Sequence, residues 1–281
     1  MGPGAADISD STASTSGVAR LRFSRCGGRT VLDRSFASSP LKVINTRGVG
    51  ATCWTYTATL GGGLVGGDRL HMTIDATAGS RVMLSTQAST KVYRSCRATS
   101  QQIVGRIAGD AVLAMLPDPI VCFADSRFSQ HQRYDLDRDA SLVVMDLMTG
   151  GRHRAGERWA FHSYSSRIDI RRTAQRVAYD AIDLNDGDGN VRERFNRFDV
   201  LGTVIVTGPA FGATAADLVR GASTLQVRPA ADLVLAVWPL ADRGALVRIA
   251  GTGVEQVTAE LRNRLGFLRA VLGDDPWARK W

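Results

Sequence analysis

The chain is short of the residues that build disulfide frameworks and membrane spans. Its 281 residues include four cysteines, and no two of them form a Cys-x-x-Cys pair. A disulfide scaffold needs a short, cysteine-dense secreted chain, so these thiols are predicted to be free. The longest apolar runs, AVLAML from residue 111 and LVLAVW from residue 233, fall far short of the roughly 20 residues that cross a bilayer. The sequence therefore predicts neither a disulfide-rich module nor a membrane protein.

The first residues lack the features of a targeting segment. The stretch MGPGAADISDSTASTSG is small and polar, with neither a basic start nor an apolar centre. A secretory signal requires both, so the expected compartment is the cytoplasm. Low hydrophobicity also predicts that residues 1–19 form a disordered lead-in. Residues 20–281 are expected to form a single domain, because no linker-like stretch divides them.

Lysine is nearly missing, although the chain is basic. There are 3 lysines and 32 arginines, and the net charge is +8. Arginine makes bidentate contacts with carboxylates, so an acidic partner surface fits this composition. Seven arginines fall within residues 152–176, where they could face such a partner or form a solvated sheet face. The alternative is an arginine-rich β protein that binds nucleic acid, although neither an aromatic RNA-binding cluster nor a helix-turn-helix signal is present.

Residue types that mark metal and reaction centres are sparse. The four histidines form neither a His-x-His nor a His-x-x-x-His pair, so no permanent metal site is predicted. A hydrolase is a third hypothesis, but the chain has no Gly-x-Ser-x-Gly elbow. Residues 183–190, DLNDGDGN, resemble a calcium loop. The closing glutamate is absent in either register, so a polar hairpin turn is predicted there.

Most of the chain has the pattern of short strands separated by turn residues. Residues 20–25 and 29–36 flank Cys-Gly-Gly and predict a β-hairpin, and many further segments alternate apolar and polar residues. Two segments have helical spacing instead. These are residues 212–220, and residues 254–272 with an apolar stripe that Gly273 ends. The predicted fold is mainly β, with about two α-helices, one of them near the C-terminus.

A glycine cluster, ATLGGGLVGGDRLHMTID at 58–75, raises the question of nucleotide binding. Gly61, Gly63 and Gly66 have the spacing of a dinucleotide fingerprint. That fingerprint needs a following helix to hold the pyrophosphate, whereas the residues that follow here alternate like a strand. Asp68 also stands where a phosphate-binding loop needs lysine. The glycines are therefore predicted to shape a tight bend, with Asp68 either exposed at the bend or capping local N–H groups.

Several motifs together make the sequence similar to the UreD (also UreH) family of urease accessory proteins. The glycine cluster resembles the family's GGxxGGD turn through Gly62, Gly63, Gly66, Gly67 and Asp68. A second segment resembles its TQxxxKxYRS motif through Thr86, Gln87, Lys91, Tyr93, Arg94 and Ser95. A third family motif is matched by Asp146, Gly151, Arg152, Gly156 and Glu157. The matches follow the family order from about residue 60 to residue 281.

The resemblance implies both a fold and a role. Proteins of this family have stacked β-sheets in a helical, β-solenoid-like arrangement, which agrees with the strand-rich pattern. They are assembly factors rather than enzymes, and they bind the helical protein UreF, through it the GTPase UreG, and apo-urease. An internal passage is proposed to lead nickel(II) toward urease. The expected function is therefore a scaffold and nickel conduit in urease maturation, with no permanently bound cofactor and without nucleic acid or membrane as a partner.

The matched motifs also supply candidate residues for such a passage. A conduit needs oxygen ligands that bind weakly, because tight ligands would trap the ion. Asp68 and Glu157 are the candidate transient nickel ligands, and Thr86 and Gln87 are the candidate lining groups. The plain alternatives are strand polarity for Thr86 and Gln87, and a salt bridge to a neighbouring arginine for Glu157. The other motif residues are expected to be structural: Gly62, Gly63, Gly66, Gly67, Lys91, Tyr93, Arg94, Asp146 and Arg152.

Overall fold

The computed structural model describes residues 16–46, 50–152, 155–223 and 228–278. The strands are β1 (Ser16–Cys26), β2 (Arg29–Ala37), β3 (Leu41–Thr46), β4 (Cys53–Thr59), β5 (Arg69–Ala76), β6 (Arg81–Thr86), β7 (Thr90–Val92), β8 (Thr99–Ile107), β9 (Val112–Met115), β10 (Ile120–Cys122), β11 (Arg127–Leu136), β12 (Ser141–Thr149), β13 (Ser163–Arg172), β14 (Gln175–Asn185), β15 (Val200–Thr207), β16 (Leu233–Leu240) and β17 (Gly244–Gly251). The helices are α1 (Val191–Phe195), α2 (Gly212–Ser223), α3 (Val254–Arg264) and α4 (Leu268–Leu272). Within these ranges, no helix has the length and hydropathy needed to cross a bilayer.

The strands form two sheets that face each other. Sheet A has seven strands in the order β14-β13-β11-β8-β5-β1-β2, and sheet B has ten, with the main order β16-β17-β15-β12-β9-β6-β4-β3. From β4 to β13 the chain alternates between the sheets, so each strand becomes a parallel neighbour of the strand one coil earlier. This two-sheet coil confirms the predicted mainly β, solenoid-like fold.

The two kinds of connection lie on opposite edges of the coil. The chain passes from sheet A to sheet B through three short turns, at 77–80, 108–111 and 137–140. Each turn is closed by a backbone hydrogen bond from its fourth residue to its first, at 3.1, 3.0 and 3.2 Å. The connections from sheet B back to sheet A are called the return loops here; they comprise residues 60–68, 93–98, 123–126 and 150–162.

The apolar side chains are buried in two layers. One core lies between the sheets and includes Leu70, Ile103 and Leu142. The other lies on the opposite face of sheet B, where α2, α3 and α4 cover residues such as Met83 and Val143. β12 is therefore buried along its whole length, which explains its nearly continuous apolar sequence. Each large aliphatic side chain buried in this way stabilises the fold by about 1.5–3 kcal/mol.

The elements predicted from local patterns are largely present. β1 and β2 form the predicted hairpin, and α2 covers residues 212–220. The predicted helix at 254–272 is instead two helices, because α3 ends at Arg264 and α4 begins at Leu268, on either side of Gly266. Gly273, with a φ of 80°, ends α4 as predicted.

Two predictions from the sequence are wrong. The disordered lead-in is predicted to span residues 1–19, but β1 begins at Ser16 and pairs in parallel with β5. Backbone pairing to a buried strand outweighs the polar composition of residues 16–19. Residues 1–15 lie outside the described ranges. Residues 183–190 do not form a hairpin turn: β14 continues to Asn185, and Asn190 then caps α1 by accepting hydrogen bonds from Arg192 and Glu193.

Candidate functional site

Most of the matched motif residues gather on the return loops. The loops belong to successive coils, and each is hydrogen-bonded to the next. The Tyr93 N–H donates to the Leu64 carbonyl at 2.9 Å, and the Asp125 N–H donates to the Ala160 carbonyl at 2.9 Å. Motifs that are far apart in the sequence thereby form one continuous edge of the molecule.

Gly63 and Gly66 lie flat against the next return loop. A Cβ on Gly63 would stand 2.6 Å from the Tyr93 ring and 2.8 Å from the Lys91 carbonyl oxygen. A Cβ on Gly66 would stand 1.6 Å from the Ser95 Oγ. These distances leave no room for any side chain, so the two motifs are fitted to each other.

Asp68 closes the glycine bend. Its side chain is 3% exposed, its Oδ2 accepts a hydrogen bond from the Val65 N–H at 2.9 Å, and its own N–H donates to the Val65 carbonyl at 3.1 Å. Gly62 and Gly67 have φ values of 75° and 92°, which favour glycine. β5 follows directly, so the helix that a dinucleotide site requires is replaced by a strand. The carboxylate thus caps local N–H groups, the second of the two predicted arrangements.

A chain of aromatic and ionic contacts links the later loops. The Tyr93 ring meets the Phe123 ring edge-on, with centroids 5.1 Å apart. The Arg152 guanidinium lies over the same Phe123 ring, 4.2 Å from its centroid. Arg94 forms an exposed ion pair with Asp125 at 2.9 Å. Three motif residues predicted to be structural therefore hold the return loops together.

Glu157 forms an ion pair with Arg152, which agrees with the alternative interpretation of this residue as part of a salt bridge. The Arg152 Nε donates to the Glu157 Oε2 at 3.0 Å, and the Ala124 N–H donates to the same oxygen at 3.2 Å. The hydrogen bond from Arg152 lowers the pKa of the Glu157 carboxyl, so it stays ionised at neutral pH. Arg158 pairs with a different carboxylate, and Arg154 lies outside the described ranges.

Glu157→Gln is expected to lower the free energy of unfolding by less than about 1 kcal/mol at neutral pH, because Arg152 is 49% exposed and solvent screens the pair. The folded pKa lies below the ordinary value of 4.5, so this contribution is present above that pH and is lost as pH falls through the folded pKa. Urea melts of both proteins should therefore converge once the pH has fallen below the folded pKa. Glu193→Gln on α1 is the control, and a difference that persists in acid would contradict the assignment.

A cavity of about 240 Å³ lies between the sheets where sheet B is interrupted, and it opens to solvent beside the exposed Gln87. The interruptions separate β6 from β7 and β9 from β10. The candidate lining residues Thr86 and Gln87 are both on the cavity wall. Thr86 Oγ1 donates to the Asp118 Oδ2 at 3.1 Å and accepts from the Asp118 N–H at 2.8 Å. Asp68 and Glu157 are not among the residues that line this cavity.

A line of polar side chains, all buried except the half-buried Gln101, leads from the cavity through the space between the sheets. Gln101 and Gln130, which line the cavity, are joined by a hydrogen bond of 3.1 Å. The Gln130 Nε2 donates to the Ser166 Oγ at 3.2 Å, and the Ser166 Oγ donates to the Asp146 Oδ2 at 2.5 Å. We call Gln101, Gln130, Ser166 and Asp146, together with Asp180 beyond them, the buried polar row.

The row ends in two buried carboxyl groups. Asp146 and Asp180 are 5% and 8% exposed. Burial raises the pKa of the Asp146 carboxyl, while Arg248 opposes that rise. Asp180 accepts hydrogen bonds from the Thr203 hydroxyl, at 3.3 Å, and from Arg248. The row therefore extends from the central cavity toward the β14–β17 end of the coil.

Most of the row was missed from the sequence, although a signal was present. In β11, Phe128, Tyr134 and Leu136 face the core on alternate positions. The same alternation places Gln130 and Gln132 on that inward face. Two glutamines in register with aromatic and aliphatic residues indicate a polar strip inside an apolar core, and this was the available signal.

The atoms of the row that could bind a cation are amide, hydroxyl and carboxylate oxygens. Among the described residues, no group of three or more His, Cys, Asp or Glu could hold a metal ion. His71 contacts Gln102 at 3.3 Å. Cys122 is buried, which raises the pKa of its thiol to about 12 and keeps it protonated. The interior formed by the described residues thus offers oxygen atoms one after another, without a chelating cluster.

The arginines between 152 and 176 are taken up by ion pairs. Arg171 and Arg176 both contact Asp169 at 3.0 Å. Arg172 is buried, pairs with Asp242, and donates to three backbone carbonyls of the turn at 137–140. The same holds for Arg152, Arg158 and Arg167, so each of the six arginines described in this stretch has a carboxylate partner. This pairing favours a structural interpretation of the stretch over nucleic-acid binding.

Comparison with known proteins places the chain in a family. The model of the family described as UreD urease accessory protein matches residues 15–281. The urease accessory protein UreD of Sorangium cellulosum is 44% identical over 96% of this chain and 86% of its own length. That of Anaeromyxobacter sp. is 39% identical over 94% and 89%, and urease accessory protein D of Oryza sativa subsp. indica is 29% identical over 94% and 96%. The chain therefore belongs to the UreD family of urease accessory proteins.

Proposed function

We propose that the protein acts in urease maturation as a scaffold and nickel conduit between a UreF-like and UreG-like accessory complex and apo-urease. It works in the cytoplasm, catalyses no reaction and keeps no permanent cofactor. Membership of the UreD family supports the accessory role. The observation that carries the conduit is the buried polar row, whose hydrogen bonds lead from the cavity between the sheets to the buried carboxyl group of Asp146, with the carboxyl group of Asp180 nearby.

The chemistry of the row suits a cation in transit. Nickel binds tightly where several imidazole or thiolate donors meet, and the row offers single oxygen donors one after another. A carboxylate in a low-dielectric interior attracts a dication strongly. Because burial raises the pKa of Asp146, this carboxyl holds a proton more readily when empty and releases it when a cation arrives. The ion is drawn inward without being trapped.

The edge formed by the return loops supports the scaffold part of the proposal. Its backbone is fixed by the fit of Gly63 and Gly66 against the neighbouring loop and by the Tyr93–Phe123–Arg152 contacts. Functional loops on a rigid frame are the usual arrangement for protein recognition. The fixed edge is therefore the surface assigned to a partner.

Co-expression tests the proposal and separates two routes for nickel. Urease, a UreF-like and a UreG-like protein are produced with the wild-type chain, with Asp68→Ala or with Glu157→Ala. Pull-down on this chain measures the complex, and the nickel content of urease measures delivery. If the row is the route, Glu157→Ala keeps delivery within about twofold, since its pair with Arg152 is partly exposed.

Two outcomes would change the proposal. An intact complex with nickel-free urease in the Asp68 or Glu157 variants would move the route to the return loops, where these carboxylates were predicted to act as transient ligands. Failure of the wild-type chain to retain the UreF-like protein and urease would overturn the scaffold.

A further inference from the structure

Sheet B is interrupted beside the cavity by a break that becomes longer from strand to strand. β12 is continuous, and three of its residues, 145–147, lie between its contacts with β9 and with β10. Four residues, 116–119, separate β9 from β10, and five residues, 85–89, separate the parts of β6 and β7 that pair with them. Strands with unequal numbers of residues cannot keep one register, so the added residues bulge out of the sheet. Residues 85–89 and 116–119 together are called the break here.

The sequence of the break explains why the ladder does not close. Pro117 and Pro119 carry no N–H group, so neither can donate to a neighbouring strand. Asp118 lies between them, and its N–H donates to the Thr86 side-chain oxygen at 2.8 Å. The Thr86 hydroxyl donates to the Asp118 carboxylate at 3.1 Å. The side chains of these two residues therefore join the two sides of the break.

Voids lie on both faces of the break. The cavity between the sheets is on the inner face, and a groove of about 860 Å³ lies on the outer face, between β12 and α3. Ser89, Pro117 and Asp118 line both the cavity and the groove. All three residues are half-buried rather than enclosed in the core. The break is therefore a thin partition between the cavity and the groove.

The groove carries an excess of negative charge, although the whole chain has a net charge of +8. Among the described residues, its wall contains three acidic side chains and one basic side chain: Asp118, Asp199, Glu255 and Arg262. Arg158 pairs with Asp199, and Arg262 offsets one of the other two carboxylates. Asp118 is the carboxylate that also faces the cavity. The local field at the break therefore favours a cation over an anion.

We propose that nickel(II) crosses sheet B at the break, with Asp118 as the ligand that receives it, so that the groove beside α3 is one mouth of the conduit. The crossing rests on the proposed function, because it supplies one end of the nickel route. One carboxylate beside one hydroxyl holds nickel weakly, since tight sites group several imidazole or thiolate donors. Thr86 also lines the cavity, together with Gln101 and Gln130, which begin the buried polar row. The ion thus moves between the groove and the row through Asp118.

Asp118→Asn is expected to lower the nickel content of co-expressed urease at least about fivefold, because it removes the charge that pairs with a dication. Asparagine can still accept the hydrogen bond from Thr86, so the break keeps its shape. Asp118→Glu keeps the charge and is expected to deliver nickel within about twofold of the wild type. Asp135→Asn is the matched control, since Asp135 is a half-buried carboxylate on β11 that pairs with Arg133, away from both voids. Pull-down establishes that each complex is intact.

A reversible plug tests the crossing without a permanent change of charge. Ser89→Cys is made together with Cys26→Ser and Cys96→Ser, because those two native cysteines are exposed. The chain is modified with a bulky aromatic disulfide reagent and assembled with the accessory proteins, and nickel(II) transfer to apo-urease is measured. Transfer is expected to fall at least about tenfold and to return when the plug is removed by a reductant, which is itself removed before nickel is added. Ser129→Cys in the same background is the matched control, since Ser129 is exposed on β11 away from the break.

The two experiments separate the crossing from the conduit as a whole. Normal delivery by Asp118→Asn, normal transfer by the plugged Ser89→Cys chain, a loss that reduction does not reverse, or an equal loss in the modified Ser129→Cys chain would each overturn the crossing at the break. In each of these cases, delivery by the wild-type complex leaves the proposed function standing. A wild-type complex that delivers no nickel would overturn the proposed function, and the crossing with it.

Discussion

Asp146→Asn is expected to lower nickel delivery to urease by about tenfold or more while the accessory complex stays intact. Asparagine keeps the size of the side chain, and its amide oxygen can still accept the hydrogen bond from Ser166. The variant loses the carboxyl group that can release its proton and pair with a dication in the interior. The measurements are the nickel content and activity of co-expressed urease, with the complex recovered by pull-down.

Asp169→Asn provides the matched control for this variant. Asp169 and Asp146 are both 5% exposed, but Asp169 bonds to Arg171 and Arg176 and lies outside the buried polar row. Its variant is expected to deliver nickel normally. Normal nickel content in the Asp146→Asn complex would remove the row from the route and leave the scaffold role standing.

Asp146→Asn is expected to lower nickel delivery without lowering the stability of the protein. Burial raises the pKa of Asp146, so the folded protein binds this proton more tightly than the unfolded chain. Stability therefore falls as pH rises from the ordinary value of 3.8 through the folded pKa. Asparagine has no such loss, so the variant is expected to be at least as stable as the wild type at pH 7. Reduced delivery by a protein of undiminished stability would point to transport rather than folding.

Gly66→Ala is expected to lower the free energy of unfolding by more than about 3 kcal/mol, equivalent to a fall in melting temperature of about 5 °C or more. The added Cβ would stand 1.6 Å from the Ser95 Oγ and 2.3 Å from the Ser95 Cβ, so one loop must move away from the other. Thermal and urea melts measure the loss. The matched control is Gly221→Ala in α2, where nothing lies within 4 Å of the added Cβ and a small gain in stability is expected.

A compensating substitution makes this expectation specific. Gly66→Ala combined with Ser95→Gly removes both of the closest clashing atoms and leaves the Arg97 carbonyl at 3.2 Å. Partial recovery of the melting temperature is therefore expected. A double variant as unstable as Gly66→Ala alone would mean that the loops do not approach each other as described.

Local sequence patterns predicted that the chain forms strands, but not that it coils between two sheets. Alternation in segments such as β5 and the hairpin at Gly27 and Gly28 indicated strands, because those signals depend on neighbouring residues. The alternation of the chain between two sheets depends on contacts between coils and has no local signal. The apolar stripe of residues 254–272 likewise continues across Gly266, so the break between α3 and α4 could not be predicted from spacing alone.

The candidate site could be predicted in part. Resemblance supplied Thr86 and Gln87 as lining candidates, and both line the cavity; it supplied Asp146 only as a structural residue, and Asp146 lies in the row. It could not distinguish these residues from those that fix the return loops, such as Tyr93 and Arg152. Which side of a strand faces inward depends on the sheet that covers it, and motif spacing does not contain that information.

The parallel register of sheet A has one further consequence. Gln101 and Gln130, 29 positions apart, and Gln130 and Ser166, 36 positions apart, stand directly opposite each other in the neighbouring strands β8, β11 and β13. The return loops that lead into these strands differ in length, so equal spacing along the chain does not set this column. A shift of one residue in the pairing of β11 would turn Gln130 outward and break the column. Continuity of the oxygen atoms thus depends on strand register.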